Sequence, residues 1–422
     1  MRLLSPLREG AVALLWGALS LSALGDQLYT VALTWIAVQV FGAAAGYLNA
    51  LGAACVLLTA LLAGHWADGW EQRRAMIGAD LVRAAVLAVV VAAWAAIGHP
   101  PATGLIIAVA VLAGGQAVFR PALQRLLPAL TPDREMLPAA NALFDATDRI
   151  ARLLGPGLVG LLAAFLPAMH FLSLDAASFV LSAAALLAIG RLRALPALRR
   201  AGVDGRGLRG IGRGFAVLHR HRLLGFCLWT GGVVIGTWFA AFFLALPLLI
   251  ARHGIEGPGG SGLGAYGLVL SAYGCTNLLS NLAIGGRQLP AHPAPLIFTG
   301  TVVLGTGTLV VALAAALPVP PGWLLPALVL GAGVSAIGGP MEDIPLAVLR
   351  QTELPLGDVP AAMRAVLVVN NAGLLVAMAV APPLLQMLPL GVVVAGCALA
   401  MIAVGVAGFI RFAGSAAQTA AP

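Results

Sequence analysis

The feature that most constrains this chain is the recurrence of apolar stretches longer than the roughly 20 residues a helix needs to cross a hydrocarbon core. They begin near Ala11 and continue to Phe412. Inside a bilayer every backbone N–H and C=O must find a partner within the chain, and a helix meets that demand segment by segment. Charged residues make up 9% of the 422 positions and hydrophobic ones 60%, against roughly 25% charged in a soluble globular chain. The pattern predicts an all-α integral membrane protein with no separate soluble domain.

With Gly, Pro and Arg as punctuation, the hydropathy pattern divides into twelve transmembrane spans. Six lie at 11–41, 46–65, 75–97, 102–120, 138–165 and 168–190, and six at 223–251, 262–285, 294–317, 322–349, 360–387 and 390–411. This predicts an N-terminal six-helix bundle over 1–190, an Arg-rich cytoplasmic linker over 191–222 and a C-terminal six-helix bundle over 223–422. One trace of duplication survives. Gly114-Gly115 with Pro121, and Gly338-Gly339 with Pro345, keep the same internal spacing and close the fourth span of each half. Two pseudo-symmetric halves of this kind are built into many secondary transporters.

The basic residues are all Arg, and the formal charge is +8, which raises the question of nucleic acid. Their location answers it. Nine Arg (191, 193, 199, 200, 206, 209, 213, 220 and 222) fall in the middle stretch. Arg73, Arg74, Arg120, Arg125, Arg134, Arg287 and Arg350 occupy the other even-to-odd connections. The positive-inside rule therefore places both termini and the linker in the cytoplasm, and no nucleic-acid partner is expected. The amino terminus, with Arg2 and Arg8 before a long apolar run, is expected to remain as an uncleaved first helix. Cys55, Cys227, Cys275 and Cys397 are dispersed singly in apolar segments, so neither a metal nor a disulfide framework is expected.

An ionisable residue inside a span costs several kcal/mol and needs a partner or a task. Asp26 lies roughly 22 Å into the first span at about 1.5 Å per residue. A protonation switch is physically possible at that depth, as is a hydrogen bond to a neighbouring helix beside a break at Gly25. Span 5 carries Asp145, Asp148, Arg149 and Arg152, whose i to i+4 spacing predicts two ion pairs along one face. They would serve as a structural network or a gate latch, with Arg152 deep enough to counter Asp26 or meet an anionic substrate. Glu342 and Asp343 are adjacent carboxyls between Pro340 and Pro345, about 12 Å inside span 10. The repeat sets Val118 and Phe119 opposite them, so the fold does not demand charge there, and a proton, cation or polar-substrate role is expected. Asp80 and Arg83 are expected to join the cytoplasmic turn before span 3 as a gate, or to anchor topology. Asn277, Asn281, Asn370 and Asn371 would line a cavity or hold helices together.

Several motifs of the first half carry a family likeness. Gly64-His-Trp-Ala-Asp68-Gly-Trp-Glu-Gln-Arg73-Arg74 at the turn between spans 2 and 3 resembles the signature loop of the major facilitator superfamily. Leu24-Gly-Asp26-Gln-Leu, Ala79-Asp80-Leu-Val-Arg83-Ala, Phe119-Arg-Pro121-Ala, Ala140-Asn141-Ala-Leu and Leu154-Gly155-Pro156-Gly157 occur in the order of its drug-efflux branch, which also contains siderophore exporters. The likeness is good over roughly residues 20–190 and looser beyond. Gly69 and Glu71 depart from the loop pattern, which usually has a basic residue after the Asp and a Gly before the basic pair.

The resemblance implies the twelve-helix major facilitator fold and gating by Asp68, Arg73 and Arg74. It also implies a helix bend at Gly155, Pro156 and Gly157, a motif associated with exporters, although ordinary small-residue packing would use the same residues. The activity it implies is proton-coupled export of a small amphipathic molecule, drug-like or siderophore, by a monomer in a bacterial inner membrane. A non-transporting receptor or a lipid-moving protein would use the same fold. No P-loop is possible without Lys, and the seven His are scattered, so neither ATP, nor another cofactor, nor a membrane enzyme is expected.

Overall fold

The computed structural model describes residues 4–66, 71–131, 136–192, 208–355 and 357–413. Asp68, expected at the gate, lies outside the described residues, as does 193–207 of the linker. The helices of the first part are α1 (Gly10–Phe41), α2 (Ala45–Trp66), α3 (Gln72–Ile97), α4 (Ala102–Leu130), α5 (Leu137–Leu162) and α6 (Ala168–Leu192). After α7 (Leu208–Arg220) come α8 (Arg222–Ala240), α9 (Leu246–His253), α10 (Gly262–Gly285), α11 (Ala294–Ala316), α12 (Pro321–Thr352), α13 (Val359–Met387) and α14 (Leu390–Ala413). Among the described residues, ten stretches are long and apolar enough to cross a membrane. One of them, Gly10–Thr59, holds α1 and much of α2. The break comes at Gly42, whose φ of 58° only a residue without Cβ adopts cheaply. α5 is absent from the ten, and Asp145, Asp148, Arg149 and Arg152 fall within it.

The same packing recurs twice. In the first part α1 lies on α5 and α6, α3 on α4 and α6, and α2 on α4. In the second, α8 lies on α13 and α14, α11 on α12 and α14, and α10 on α12. The two sets meet through α5 on α10 and α2 on α13. Lipid tails are as apolar as Leu, so helix contacts in a bilayer rest on close backbone approach through small residues. A Cβ on Gly267 of α10 would stand 2.6 Å from the Gly160 nitrogen of α5, and one on Gly46 of α2 would stand 2.8 Å from the Met378 carbonyl of α13.

Two expectations about the helices are corrected. Residues 208–220, expected as solvated linker, form α7, whose Ile211, Val217 and Leu218 are buried and which packs on α13, with Arg213 paired to Asp358. The break expected at Gly25 does not occur: α1 runs unbroken, and the missing Cβ instead admits α6, since a Cβ there would stand 2.7 Å from the Ser178 Oγ. Span 7 runs on from α8 to His253 through a π-helical turn at Ala241–Ala245. There the Phe242 carbonyl accepts from the Tyr266 hydroxyl at 3.1 Å.

Candidate functional site

A cavity of about 350 Å³ opens among α1 to α6 and is closed on one side by Asn371 and Leu374 of α13. Its charged lining is Asp26 of α1, Arg83 of α3, Arg120 of α4, and Asp148 and Arg152 of α5. Gln27, Asn49 and Gln116 add amides, and Tyr29, Leu33 and Phe179 add apolar wall. Asp26 and Arg152 both line this cavity, but the cations whose charge reaches Asp26 are Arg83 and Arg120. Apolar wall with a few convergent polar groups is the usual make-up of a small-molecule site.

The ion pairs expected inside α5 do not form in that way. Asp148 accepts from Arg120 Nη2 at 3.2 Å, while Asp145 and Arg149 are exposed. An i to i+4 spacing permits a pair but does not compel one; here a guanidinium from α4 enters the same cavity and takes the carboxylate. Arg152 has no ion-pair partner within 4 Å among the described residues.

Arg83 is the best-held charge of the cavity wall. It is 4% exposed, and its Nη2 lies 3.0 Å from Asp80 Oδ1, itself 1% exposed. Its guanidinium carbon stands 5.1 Å from the Phe119 ring centroid and 4.5 Å from that of Phe179. Delocalised charge held against ring faces is attracted by their quadrupoles. Gly115 makes the room, since a Cβ there would lie 2.8 Å from Arg83 Nε. The expected cytoplasmic cluster thus divides in two. Asp80 and Arg83 pair in the interior between α3 and α6, whereas Arg73 and Arg74 reach Glu71 at 3.5 and 2.6 Å. The Arg73 guanidinium lies against Gly190 of α6, where no side chain could stand.

Sequence reasoning missed Asp175. It is 0% exposed on α6, its Oδ1 lies 3.4 Å from the Ser178 hydroxyl, and its Oδ2 has no hydrogen-bond partner. A Cβ on Gly25 would stand 2.8 Å from that Oδ1, so Asp175 sits against the backbone next to Asp26. The signal was present: a lone carboxyl in the apolar run Phe171-Leu-Ser-Leu-Asp175-Ala-Ala is as expensive as Asp26.

Glu342 and Asp343 are on α12 and do not line this cavity. Glu342 accepts from the Thr301 hydroxyl of α11 at 2.9 Å. Asp343 is exposed, and Arg350 and Arg149 are the cations whose charge reaches it. Beside them Asn277 Nδ2 donates to the Ala336 carbonyl at 3.3 Å. Pro340 has no N–H to give that carbonyl in the i to i−4 ladder, so the amide from α10 fills the gap. Asn281 turns back on Asn277 of its own helix, so of these two only Asn277 bonds across helices, whereas Asn371 lines the cavity. α5 continues through Pro156. Gly155 faces Gln27, Gly157 faces Ser271, and Gly160 faces Gly267, so the motif forms the face of α5 that crosses α1 and α10.

A profile of the transmembrane secretion effector family matches residues 2–338. The chain belongs to this family of the major facilitator superfamily. It is a multi-pass membrane protein. Among curated proteins it is similar to the multidrug efflux pump Tap of Mycobacterium tuberculosis and of Mycobacterium bovis, 29% identical over 190 residues. That match spans 43% of this chain and 44% of the relative's length. Among solved structures, the nucleoside transporter NupG superposes with a TM-score of 0.69 at 13% identity, over 95% of this chain and 99% of that one. A POT family transporter in complex with a thioalcohol-conjugated peptide gives 0.64 at 13% identity, over 94% and 95%. At such identities the likeness is one of fold.

Proposed function

We propose that this protein is a secondary active exporter that exchanges protons for a small amphipathic molecule, drug-like or siderophore, by alternating access. The observation that carries the reading is a charged cavity in an apolar helical protein: Asp26, Arg83, Arg120, Asp148 and Arg152 all open onto one space about the size of a small ligand. An ionisable residue within a membrane-spanning segment is costly and is retained for a partner or a task. Asp26 is the proton-exchanging group, and Arg152 offers a guanidinium to an acceptor group of the cargo. The match to an efflux pump supports outward transport.

The twelve-span count follows when Gly10–Thr59 is read as two spans and α5 as a charged one. The recurring packing supports two pseudo-symmetric six-helix bundles, 1–190 and 223–422, joined by the linker 191–222 and rocking about the α5–α10 and α2–α13 contacts. Asp68, Arg73 and Arg74, with Asp145 and Arg149, would hold the cytoplasmic side closed. The protein acts as a monomer in a bacterial inner membrane with both termini in the cytoplasm.

The test is flux in proteoliposomes under an imposed pH gradient, with fluorescent amphipathic dyes and iron chelators of siderophore type as cargo. Proton movement is expected to depend on cargo and to be lost in Asp26→Asn. Unchanged coupled flux in both Asp26→Asn and the Glu342→Gln/Asp343→Asn double variant refutes the assignment of the coupling groups. No flux with any amphipathic candidate favours a receptor or lipid-moving role.

A further inference from the structure

We infer that Asp175 is a second proton-binding carboxyl, one that holds its proton in the conformation seen here while Asp26 exchanges with cavity water beside it. This rests on the proton-coupled reading above and adds a residue to it.

Three carboxyls, Asp26, Asp80 and Asp175, gather where α1, α3 and α6 pack together, and one guanidinium, Arg83, lies among them. Arg83 is committed to Asp80 at 3.0 Å and fixed against two rings. Asp26 lines the cavity, and the Arg83 and Arg120 charges both reach it. Asp175 lines no cavity and shares the one Arg83 charge that Asp80 already engages. It is fully buried, its hydroxyl neighbour Ser178 gives its own short bond to the Asp175 backbone carbonyl at 2.8 Å, and its Oδ2 stands without a partner. With one long hydrogen bond from Ser178 at 3.4 Å to Oδ1, none to Oδ2 and no cation of its own, a carboxylate removed from water in this way neutralises by taking up a proton. The groups facing it from every helix packed on α6 are Asp26 and Tyr29 of α1 and Asp80 and Arg83 of α3, with Ser178 on α6 itself. Two acids that act on each other at this range do not both ionise at the cost of one.

Place and accessibility set the roles. Asp175 Oδ1 rests in the space left by the missing side chain of Gly25, the residue before Asp26. Tyr29, one turn further along α1, lines the cavity and has its own buried hydroxyl without a partner. A sliding of α1 on α6 changes the distance between the two carboxyls, and with it the ease with which both lose their protons. The stored proton would leave Asp175 only when α1 opens it to water or Arg83 turns from Asp80 towards it.

Infrared spectroscopy of the purified full chain in detergent tests this without any cargo. The wild type is expected to show a protonated-acid carbonyl band that shifts on exchange into heavy water slowly, and Asp175→Asn is expected to remove one component of it while Asp26→Asn leaves that component in place. A band identical in wild type and Asp175→Asn overturns the inference. Should Asp175→Asn fail to accumulate, Gly25→Ala, which pushes a methyl onto Oδ1, is expected to move the same component; an unmoved component overturns the inference equally. In proteoliposomes, Asp175→Asn is expected to lower the number of protons moved per cargo molecule while cargo exchange continues. A wild type with no coupled flux refutes the export reading and leaves the infrared result standing, whereas a missing Asp175 component refutes the stored proton and leaves exchange at Asp26 intact.

Discussion

The two Gly-Gly-Pro repeats occupy matching places on α4 and α12, yet they serve opposite chemistry. On α4, Gly115 clears space for the Arg83 guanidinium, and Phe119 one turn on supplies a ring for it to lie against. On α12, Gly339 faces the amide of Asn277, and the place of Phe119 is taken by Asp343. The first half therefore draws charge inward from α1, α3 and α6 around a fixed cation. The second carries its charge on α12 itself, beside an amide that mends a proline gap. The same glycine spacing admits a guanidinium on α4 and the backbone of α11 on α12, so the repeat does not tell where ionisable groups belong.

The largest expected effect is at Arg83. Replacing it with Leu strands Asp80 in the interior, and removal of one partner from a buried pair costs about 3–5 kcal/mol. Unfolding in detergent should show that loss, Arg83→Lys should not restore it because a point charge cannot lie flat between two rings, and Asp80→Leu added to Arg83→Leu should recover much of it. Next comes a direct contrast of the repeats. Gly115→Ala drives a methyl into three Arg83 atoms at 2.8–2.9 Å and should cost about 1–3 kcal/mol as overpacking. Gly339→Ala meets an amide at 3.2 Å and should stay within about 0.5 kcal/mol. Equal losses would break the comparison.

The helical fold was legible because apolar length and Arg placement report directly on the bilayer. Contacts between helices were not. Asp148 chose Arg120 over Arg152 through an approach of α4 that no spacing within α5 encodes. Asp175 escaped because it belongs to no motif and has no charged neighbour in the chain, although its isolation was itself the signal. Asp26 had the same isolation and was found. The helix over 208–220 was hidden by the Arg content of the linker, which outweighed the buried stripe of Ile211, Val217 and Leu218.

Two smaller effects sharpen the account of α12. Asn277→Ala should cost about 1 kcal/mol by orphaning the Ala336 carbonyl, and Pro340→Ala, which restores an N–H at the position that carbonyl faces, should rescue it; a loss that Pro340→Ala does not relieve would show that the amide does something else. Thr301→Val removes the hydroxyl that Glu342 accepts from at 2.9 Å and should cost up to about 1 kcal/mol, without altering the response of the first-half cavity to cargo.

In the proposed export cycle, proton and cargo compete for the charges around Asp26. The most direct test of this competition is proton release on cargo binding, measured in weakly buffered detergent solution near neutral pH. Cargo added to the wild type should release protons, and Asp26→Asn should bind the cargo without that release. Release of the same size from Asp26→Asn would contradict the account.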